Sequence, residues 1–399
     1  MDICIKQEKF HQLVFKKYRI SKLNKETLTI RNLLCYYQEL SCKKYNTEAR
    51  LDYILGDLYD AKYHVRLTTY GSYSVIEYTL KAIDPMYIED ETYTLEKLET
   101  IFLELIEPVM QKGQADAKLF ARAVEIYESD LLSRSENLQL MSYQNAMELY
   151  FKGTNRAFSP YGYLDEVKKI TKKDLYSYFL EVQKEETISF LTGKVENSID
   201  LKDVTLTPKK EYQFKERAQS KARINEPKST LQSYIEIIYE LGIYANDPLY
   251  YAAVFLNHIL GGASNSLLFQ TIREKLGLCY SISSLYLGAT GILVVSAIVN
   301  SKDVEDTLCA IDKIVDNFLS SPYSLKEIKA YYTSNYYLGE DFIDTKINQY
   351  LSDTYFLDSP KSKEELKKIK SVTKQDVIEA YQKLKKAFTY VLGGETDEK

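Results

Sequence analysis

The order of hydrophobic and polar residues along the chain contains two copies of a pattern that predicts a helix followed by a strand. A predicted helix, ITKKDLYSYFLEVQ, runs into the apolar strand TISFLTG, and 202 residues later a second helix, VTKQDVIEAYQKLKK, runs into FTYVLGG. In both copies a Thr precedes the helix and an Asp stands three positions further on, Thr171 with Asp174 and Thr373 with Asp376. This spacing predicts a capping box, in which each side chain satisfies a backbone N–H of the first turn. The repeat indicates one structural unit encoded twice.

A second pair of segments supports the duplication. Residues 70–83 (YGSYSVIEYTLKAI) and 287–300 (LGATGILVVSAIVN) both alternate as half-buried strands do, and both are entered through Gly. Each leads into an amphipathic helix, predicted at 95–110 in the first copy and at 304–319 in the second. The pattern therefore predicts an α+β fold with two homologous domains, each an antiparallel sheet with helices packed on one face.

The boundaries between the two domains follow from a change in composition. Residues 208–228 are polar and weakly basic and have no sustained apolar face, and prolines stand at positions 208 and 227. Such a stretch is typical of an interdomain linker. We expect the first domain at 1–207 and the second at 229–399.

Composition narrows the class of protein. With 52 basic and 57 acidic residues the net charge is −5, and without a basic patch or run we expect no nucleic-acid partner. The N-terminus lacks the apolar core of a secretory signal, and the longest apolar run, residues 249–256, is too short to span a membrane, so we expect a cytoplasmic protein with no membrane partner. Five cysteines at irregular spacing argue against a zinc ribbon or a disulfide framework.

The stretch NHILGGASNSLLFQTIREKLGLCYSISS, residues 257–284, contains the most informative motif. It predicts a helix that ends at Gly277 and a strand that begins near Cys279, joined by a tight turn. This geometry brings Arg273 and Tyr280 near one another. Taken alone, the two residues are better explained as a solvated cation that compensates the helix dipole and an ordinary strand aromatic.

The same stretch resembles the C-domain signature of the M16 peptidase family, which includes insulinase, pitrilysin and the mitochondrial processing peptidase. The repeated T-x-x-D helices also match the closing element of each M16 domain, so the resemblance covers nearly the whole chain. The signature has the form N-x-x-L-G-G…S-x-L-F…R-E-K-x-G-L-x-Y-S. Its positions are matched here by Asn257, Leu260, Gly261, Gly262, Ser266, Leu268, Phe269, Arg273, Glu274, Lys275, Gly277, Leu278, Tyr280 and Ser281.

The resemblance implies a LuxS/MPP-like metallohydrolase fold and a chamber enclosed by four domains, two from each subunit. Within that chamber a peptide adds as a strand to a sheet edge. The family's Arg and Tyr at the positions of Arg273 and Tyr280 reach toward the peptide and its scissile carbonyl, from the half opposite the zinc. The resemblance thus implies that these two residues bind substrate.

Active M16 members carry H-x-x-E-H in the first domain, two zinc ligands and the base that activates the bound water. Alignment on residues 44–47 places Asn32-Leu33-Leu34-Cys35-Tyr36 at that motif, so Asn32, Cys35 and Tyr36 occupy degenerate metal-site positions. No two of the three histidines, His11, His64 and His258, lie at helical spacing, and each is expected to be an ordinary histidine. Glu125 and Glu128 fall near the family's further Glu ligand and are expected to be solvated.

We therefore expect a chain without catalytic residues or a metal of its own. The resemblance is strongest to the inactive members of bacterial M16 pairs, whose sister subunit keeps H-x-x-E-H and the zinc; one such pair is associated with 5-aminopentanol modification of elongation factor P, others with peptide maturation. The predicted function is the substrate-binding subunit of a heterodimeric zinc peptidase, with a peptide or unfolded protein as substrate. The alternatives are a silent peptide-binding or chaperone-like homodimer and, less favoured, a hydrolase with a Cys–His centre.

Overall fold

The computed structural model of the protein describes residues 3–154, 156–195, 209, 223–356 and 362–394. The chain forms two compact units, and each draws on both halves of the sequence. The first unit contains Met1–Ser133, Phe158–Lys209 and Glu340–Leu351, and the second contains Arg134–Ala157, Lys210–Gly339 and Ser352–Lys399.

The described strands form several groups along each half of the chain. They are β1 (Ile3–Lys6), β2 (Gln12–Lys22), β3 (Lys62–Tyr70), β4 (Tyr73–Ile83), β5 (Met110–Gln111), β6 (Gln114–Ala115), β7 (Glu186–Gly193), β8 (Arg223–Glu226), β9 (Gln232–Glu240), β10 (Cys279–Leu287), β11 (Ile292–Asn300) and β12 (Lys385–Leu392).

The helices lie between these groups. They are α1 (Lys25–Leu40), α2 (Glu48–Asp57), α3 (Leu95–Leu105), α4 (Ala117–Glu136), α5 (Leu138–Tyr150), α6 (Leu164–Val167), α7 (Lys172–Val182), α8 (Tyr250–Asn257), α9 (Val304–Asp316), α10 (Leu325–Gly339), α11 (Thr345–Tyr350), α12 (Ser362–Ser371) and α13 (Lys374–Gln382). Short 3₁₀ turns occur at Pro85–Tyr87, Ser301–Asp303 and Phe318–Ser320, and π-helical turns at His258–Gly262, Phe269–Lys275 and Leu351–Tyr355.

The two five-stranded sheets have the same topology. The first has the strand order β1-β7-β2-β4-β3, and the second, taken from its opposite edge, has the order β8-β12-β9-β11-β10. In both, the short first strand pairs in parallel with the last strand, and the remaining neighbours are antiparallel. The duplication that the sequence pattern predicts is therefore present strand by strand, and the α+β fold class is confirmed.

The predicted capping boxes are both present. Thr171 and Thr373 accept hydrogen bonds from the backbone N–H of Asp174 and Asp376, and each Asp side chain accepts a bond from the backbone of its Thr. Each box satisfies orphan N–H groups in the first turn of the helix that precedes the closing strand. Helices α7 and α13 consequently begin at equivalent places in the two units.

Each unit has an apolar core between one face of its sheet and its helices. In the first unit Leu33, Phe102 and Leu175, from α1, α3 and α7, pack with buried side chains of β2 and β4. In the second unit Leu256 and Val377, from α8 and α13, belong to the equivalent cluster. Adjacent strand residues point to opposite faces, so the second face of each sheet needs a cover of its own.

Segments from the opposite half of the chain provide that cover. Helix α5, from the first half, packs Met147 and Phe151 against the face of the second sheet that carries Ile238 and Phe388. Residues 340–351, from the second half, lie on the first sheet. The sequence pattern does not predict this exchange of segments.

The cover of the first sheet includes a buried charge network. Lys16 Nζ lies 2.6 Å from Glu77 Oε1 and 3.4 Å from Asp344 Oδ2, and the Lys16 and Glu77 side chains are almost fully buried. Burial raises the pKa of Glu77, but the cations of Lys16 and Arg66 outweigh it and lower the pKa below its ordinary value. Such a network holds the exchanged segment by charge as well as by packing.

The predicted linker at 208–228 lies mostly outside the described residues. Within it, Arg223–Glu226 forms β8, the edge strand beside β12. None of the helices that the structure describes is long and apolar enough to cross a membrane.

Candidate functional site

The positions predicted to be a degenerate metal site, Asn32, Cys35 and Tyr36, lie on α1, which begins after its N-cap Asn24 and packs on the first sheet. The Asn32 side chain is 9% exposed, and its Nδ2 donates hydrogen bonds to the carbonyl oxygens of Leu28 at 2.9 Å and Pro160 at 3.1 Å. Pro160 belongs to the loop before α6. The amide therefore joins the helix to this loop.

Tyr36 and Cys35 are similarly committed to internal contacts. The Tyr36 hydroxyl donates a 2.8 Å hydrogen bond to Asp130, and its ring stacks on Tyr127 with a centroid distance of 4.9 Å. Cys35 is 3% exposed, and burial raises the pKa of its thiol to about 12 although the Arg31 guanidinium acts in the opposite direction. A zinc ligand would have to be the thiolate, which this environment disfavours.

These side chains do not fit a zinc ion. The Asn32 amide and the hydrogen-bonded Tyr36 phenol stand where the family motif has its two imidazoles, and the buried protonated thiol of Cys35 stands where it has the carboxylate base. Among the described residues, no group of three or more His, Cys, Asp and Glu side chains is arranged to hold a metal. Glu125 is exposed and pairs with Arg122 at 2.8 Å, while Glu128 is half-buried.

The three histidines lie in different surroundings. His11 stacks on Tyr87 with a centroid distance of 4.3 Å, and His64 Nδ1 lies 2.9 Å from Glu39 Oε1. His258 is 7% exposed and lies in the second unit, in the π-helical turn that follows α8. None of them belongs to a metal-ligating group in the described part of the chain.

An ion pair that the sequence analysis missed stabilises α1 beside the degenerate motif. The Arg31 guanidinium is 1% exposed and donates to both carboxylate oxygens of Glu185, at 2.5 and 2.8 Å, and to the hydroxyl of Tyr178 at 3.1 Å. The sequence offers only one signal for this ion pair, which is an Arg next to the motif in a helix with many buried residues. Its partner is 154 residues away and could not be inferred.

Arg273 lies in the π-helical turn Phe269–Lys275, which leads to the edge strand of the second sheet. Its guanidinium carbon lies 4.7 Å from the centroid of the Phe269 ring, and the side chain is 43% exposed. Glu274 is its neighbouring anion at 3.6 Å. Gly277 follows this turn, and its φ of +65° is the left-handed conformation that Gly adopts at no steric cost.

Tyr280 follows at the start of β10, at an irregularity in the pairing. Cys279 pairs with Val299 and Ser281 with Ile298, so Tyr280 is the extra residue of a β-bulge. Its ring is 53% exposed, and its hydroxyl donates a 2.7 Å hydrogen bond to the side chain of Asn300. The bulge directs this side chain outward from the end of the sheet.

Two further observations define the surroundings of Tyr280. Burial raises the pKa of the adjacent Cys279 thiol to about 11, and the Arg273 guanidinium opposes that shift, which places the cation within electrostatic reach of the strand start. An open cavity of about 600 Å³ adjoins Tyr280 and Asn300. It includes Leu231, which is 81% exposed. An exposed cation, a phenol and an apolar side chain are thus available at the edge of the sheet.

A duplicated α+β domain whose α1 lacks metal ligands is the arrangement that the M16 resemblance implies for an inactive member. Residues 165–334 match the family model described as the peptidase M16 inactive domain. A probable inactive metalloprotease of Bacillus subtilis (strain 168), YmfF, is 26% identical over 417 aligned positions, which cover 98% of this chain and 95% of that protein. These matches confirm the resemblance to the M16 family that was found in the sequence.

Solved structures support the same fold. A conserved protein from Enterococcus faecalis V583 superposes with a TM-score of 0.90 at 24% identity, covering 99% of this chain and 96% of that one. A peptidase M16 inactive domain from Pseudomonas fluorescens superposes with a TM-score of 0.76 at 16% identity, with the same coverage of 99% and 96%. At these identities the likeness concerns the fold alone.

Proposed function

We propose that this chain is the non-catalytic, substrate-binding subunit of a two-chain M16 zinc peptidase, whose sister subunit carries H-x-x-E-H and the zinc. One contrast carries the proposal. The side chains at the former metal positions, Asn32 and Tyr36, are held by internal hydrogen bonds, whereas Arg273 and Tyr280 remain about half exposed. A chain that has lost the chemistry but keeps exposed donors is suited to binding.

The roles of the two residues follow from their chemistry. The Arg273 guanidinium is permanently charged and can donate several N–H groups to a peptide carbonyl or carboxylate. The Tyr280 hydroxyl already donates to Asn300 and could instead donate to an oxyanion that develops in the sister's active site. Strand β10 has β11 as its only described neighbour, so its other edge is available for an extended peptide.

A reconstitution experiment tests this function. The chain is mixed with a sister M16 subunit that has H-x-x-E-H, and zinc-dependent hydrolysis of a fluorogenic oligopeptide is measured for each subunit and for the mixture. We expect activity only in the mixture. Arg273→Ala and Tyr280→Phe should each lower kcat/KM by about 10²-fold, the size of effect seen when one oxyanion donor is removed.

Matched variants separate a local role from a general loss of charge or aromatic surface. Lys275→Ala removes another exposed cation from the same turn, and Tyr53→Phe removes the hydroxyl of a ring that is 75% exposed. Both should retain the activity of the unmodified mixture. If Arg273→Ala and Tyr280→Phe also retain it, the substrate-binding role is wrong. A homodimer that binds peptide without stimulating any sister would instead indicate the silent peptide-binding function.

A further inference from the structure

A second cavity in the same unit lies away from the sheet edge at Tyr280 and has a different chemical character. It has a volume of about 480 Å³, within the range of small-molecule sites. One wall is the π-helical turn His258–Gly262 with the loop that follows it, and the other is the start of α10. Isolated π-helical turns are frequent at functional sites.

The close approach of this turn to β10 fixes its position. A side chain at Gly261 would come within 2.8 Å of the backbone nitrogen of Ser284, so the turn can lie against the strand only with Gly at this position. Ser284 Oγ donates a 2.8 Å hydrogen bond to Asn257 Oδ1 at the beginning of the turn. His258, the next residue, is thereby held at the wall of the cavity.

Three polar side chains of the cavity lack hydrogen-bond or ion-pair partners among the described residues. His258 is 7% exposed, its ring lies beside those of Tyr331 and Tyr332, and its imidazole nitrogens make no hydrogen bond in the described part of the chain. The Tyr323 hydroxyl is buried and makes no hydrogen bond. Glu327 is exposed, and its carboxylate forms no ion pair with any described residue. Buried polar atoms without partners are costly unless a ligand or water satisfies them.

The charge of the cavity indicates the class of ligand. Glu327 is the one acidic or basic side chain among its lining residues apart from His258. Burial lowers the pKa of His258, so its imidazole is neutral at pH 7 and can accept a hydrogen bond. Lys374 Nζ lies 5.7 Å from the centroid of the Tyr323 ring but does not line the cavity. The lining combines one negative charge, neutral acceptors and aromatic faces.

We propose that this cavity binds a primary alkylammonium group. Glu327 supplies the counter-charge, the His258 imidazole and the Tyr323 hydroxyl accept N–H hydrogen bonds, and the Tyr331 ring contacts the alkyl chain or the cation. The ammonium can belong to a free small amine or to a lysine side chain of a peptide. This binding requires neither a sister subunit nor zinc and is independent of the roles of Arg273 and Tyr280.

Histidine NMR of the full chain provides the test, because the sequence contains three histidines and two of them, His11 and His64, lie in the other unit. The chain is labelled with ring-¹³C histidine and titrated with butylammonium, or with an acetylated and amidated peptide that carries one lysine. We expect the His258 signal to shift and the His11 and His64 signals to stay. Signals are assigned with His11→Gln and His64→Gln.

Neutral probes and variants decide the outcome. Butanol and a norleucine peptide should produce no shift, and Glu327→Gln should weaken ammonium binding roughly tenfold. Glu340→Gln, at another exposed glutamate, should not change it. A shift of the His258 signal with butylammonium but not with the lysine peptide indicates that the ligand is a free amine. A shift with the lysine peptide indicates that the ligand is a lysine side chain of a peptide. No His258 shift with either ammonium probe, an equal shift with butanol, or unchanged affinity in a folded Glu327→Gln protein overturns the proposal.

Discussion

Asn32 Nδ2 donates a 3.1 Å hydrogen bond to the carbonyl oxygen of Pro160, so a residue that the sequence alignment places at the M16 metal motif holds a loop 128 residues further along the chain. The stacked pair Tyr36 and Tyr127 extends this connection, because the Tyr127 hydroxyl donates to the carbonyl oxygen of Tyr161 at 2.6 Å. The side chains that α1 places at the predicted motif positions thus make structural contacts. We therefore expect substitutions that break these contacts to lower the free energy of unfolding.

Replacing Arg31 by Met should destabilise the protein by about 3 kcal/mol, because the change leaves the partly buried Glu185 without its counter-ion. The free energy of unfolding is measured by urea titration. As a control, Arg122→Met removes an exposed pair with Glu125 and should have no measurable effect. Equal stability of the Arg31 variant and the unmodified chain would contradict the importance of the buried pair.

The buried carboxyl of Glu236 should make stability fall as the pH rises. Burial raises its pKa to about 8, whereas hydrogen bonding from Ser296 acts in the opposite direction. Between the unfolded value, 4.5, and about 8, the folded state retains a proton that the unfolded state has lost, so unfolding becomes more favourable with increasing pH.

Glu236→Gln should remove this dependence and raise the free energy of unfolding at pH 7 by a few kcal/mol, since the neutral amide needs no bound proton. Unfolding is measured at several pH values from 5 to 8. Glu240→Gln, on the same strand, should keep the original slope. A Glu236→Gln protein with the unmodified slope would show that this carboxyl does not retain its proton.

Thiol labelling tests the burial of the degenerate motif. Cys309 is exposed, whereas Cys35 and Cys42 are buried and burial raises the pKa of both. N-Ethylmaleimide at pH 7.5 should modify Cys309 rapidly and leave Cys35 unmodified until the chain is unfolded, because the thiolate is the reactive form. Peptide mapping by mass spectrometry measures each site. Rapid native labelling of Cys35 would mean that the motif helix is open.

Arg273→Ala and Tyr280→Phe should leave the chain's own stability almost unchanged. Both side chains are about half exposed, and the Tyr280 hydroxyl bond to Asn300 lies at the surface, so we expect differences within about 0.5 kcal/mol. Urea titration measures this directly. A much larger loss would assign the two residues a structural role and remove them as candidates for substrate binding.

Local signals in the sequence were sufficient to predict much of the fold. The T-x-x-D spacing predicts the boxes at Thr171 and Thr373, and Gly277 predicts the end of the turn, because each depends on residues within one helical turn. The helix predicted to end at Gly277 instead contains a π-helical turn at Phe269–Lys275, which has no side-chain cap. The sequence offers no local marker for that wider turn.

Long-range features could not be inferred in the same way. The packing of α5 on the second sheet depends on the shape of a distant surface, and its sequence, LQLMSYQNAMELY, has apolar residues on several faces. The partners of Arg31 and Asn32 are more than a hundred residues away. The sequence predicts that Asn32 to Tyr36 stand at the H-x-x-E-H position, but the contacts that these residues make depend on the tertiary structure.

The most direct test of the central claim is to measure zinc and peptidase activity together in the chain alone and in a mixture with a sister M16 subunit that has H-x-x-E-H. After dialysis against a zinc-containing buffer and then a zinc-free one, we expect no stoichiometric zinc and no oligopeptide hydrolysis for the chain alone, and zinc-dependent hydrolysis in the mixture. One zinc retained per chain, with hydrolysis by the chain alone, would contradict the account.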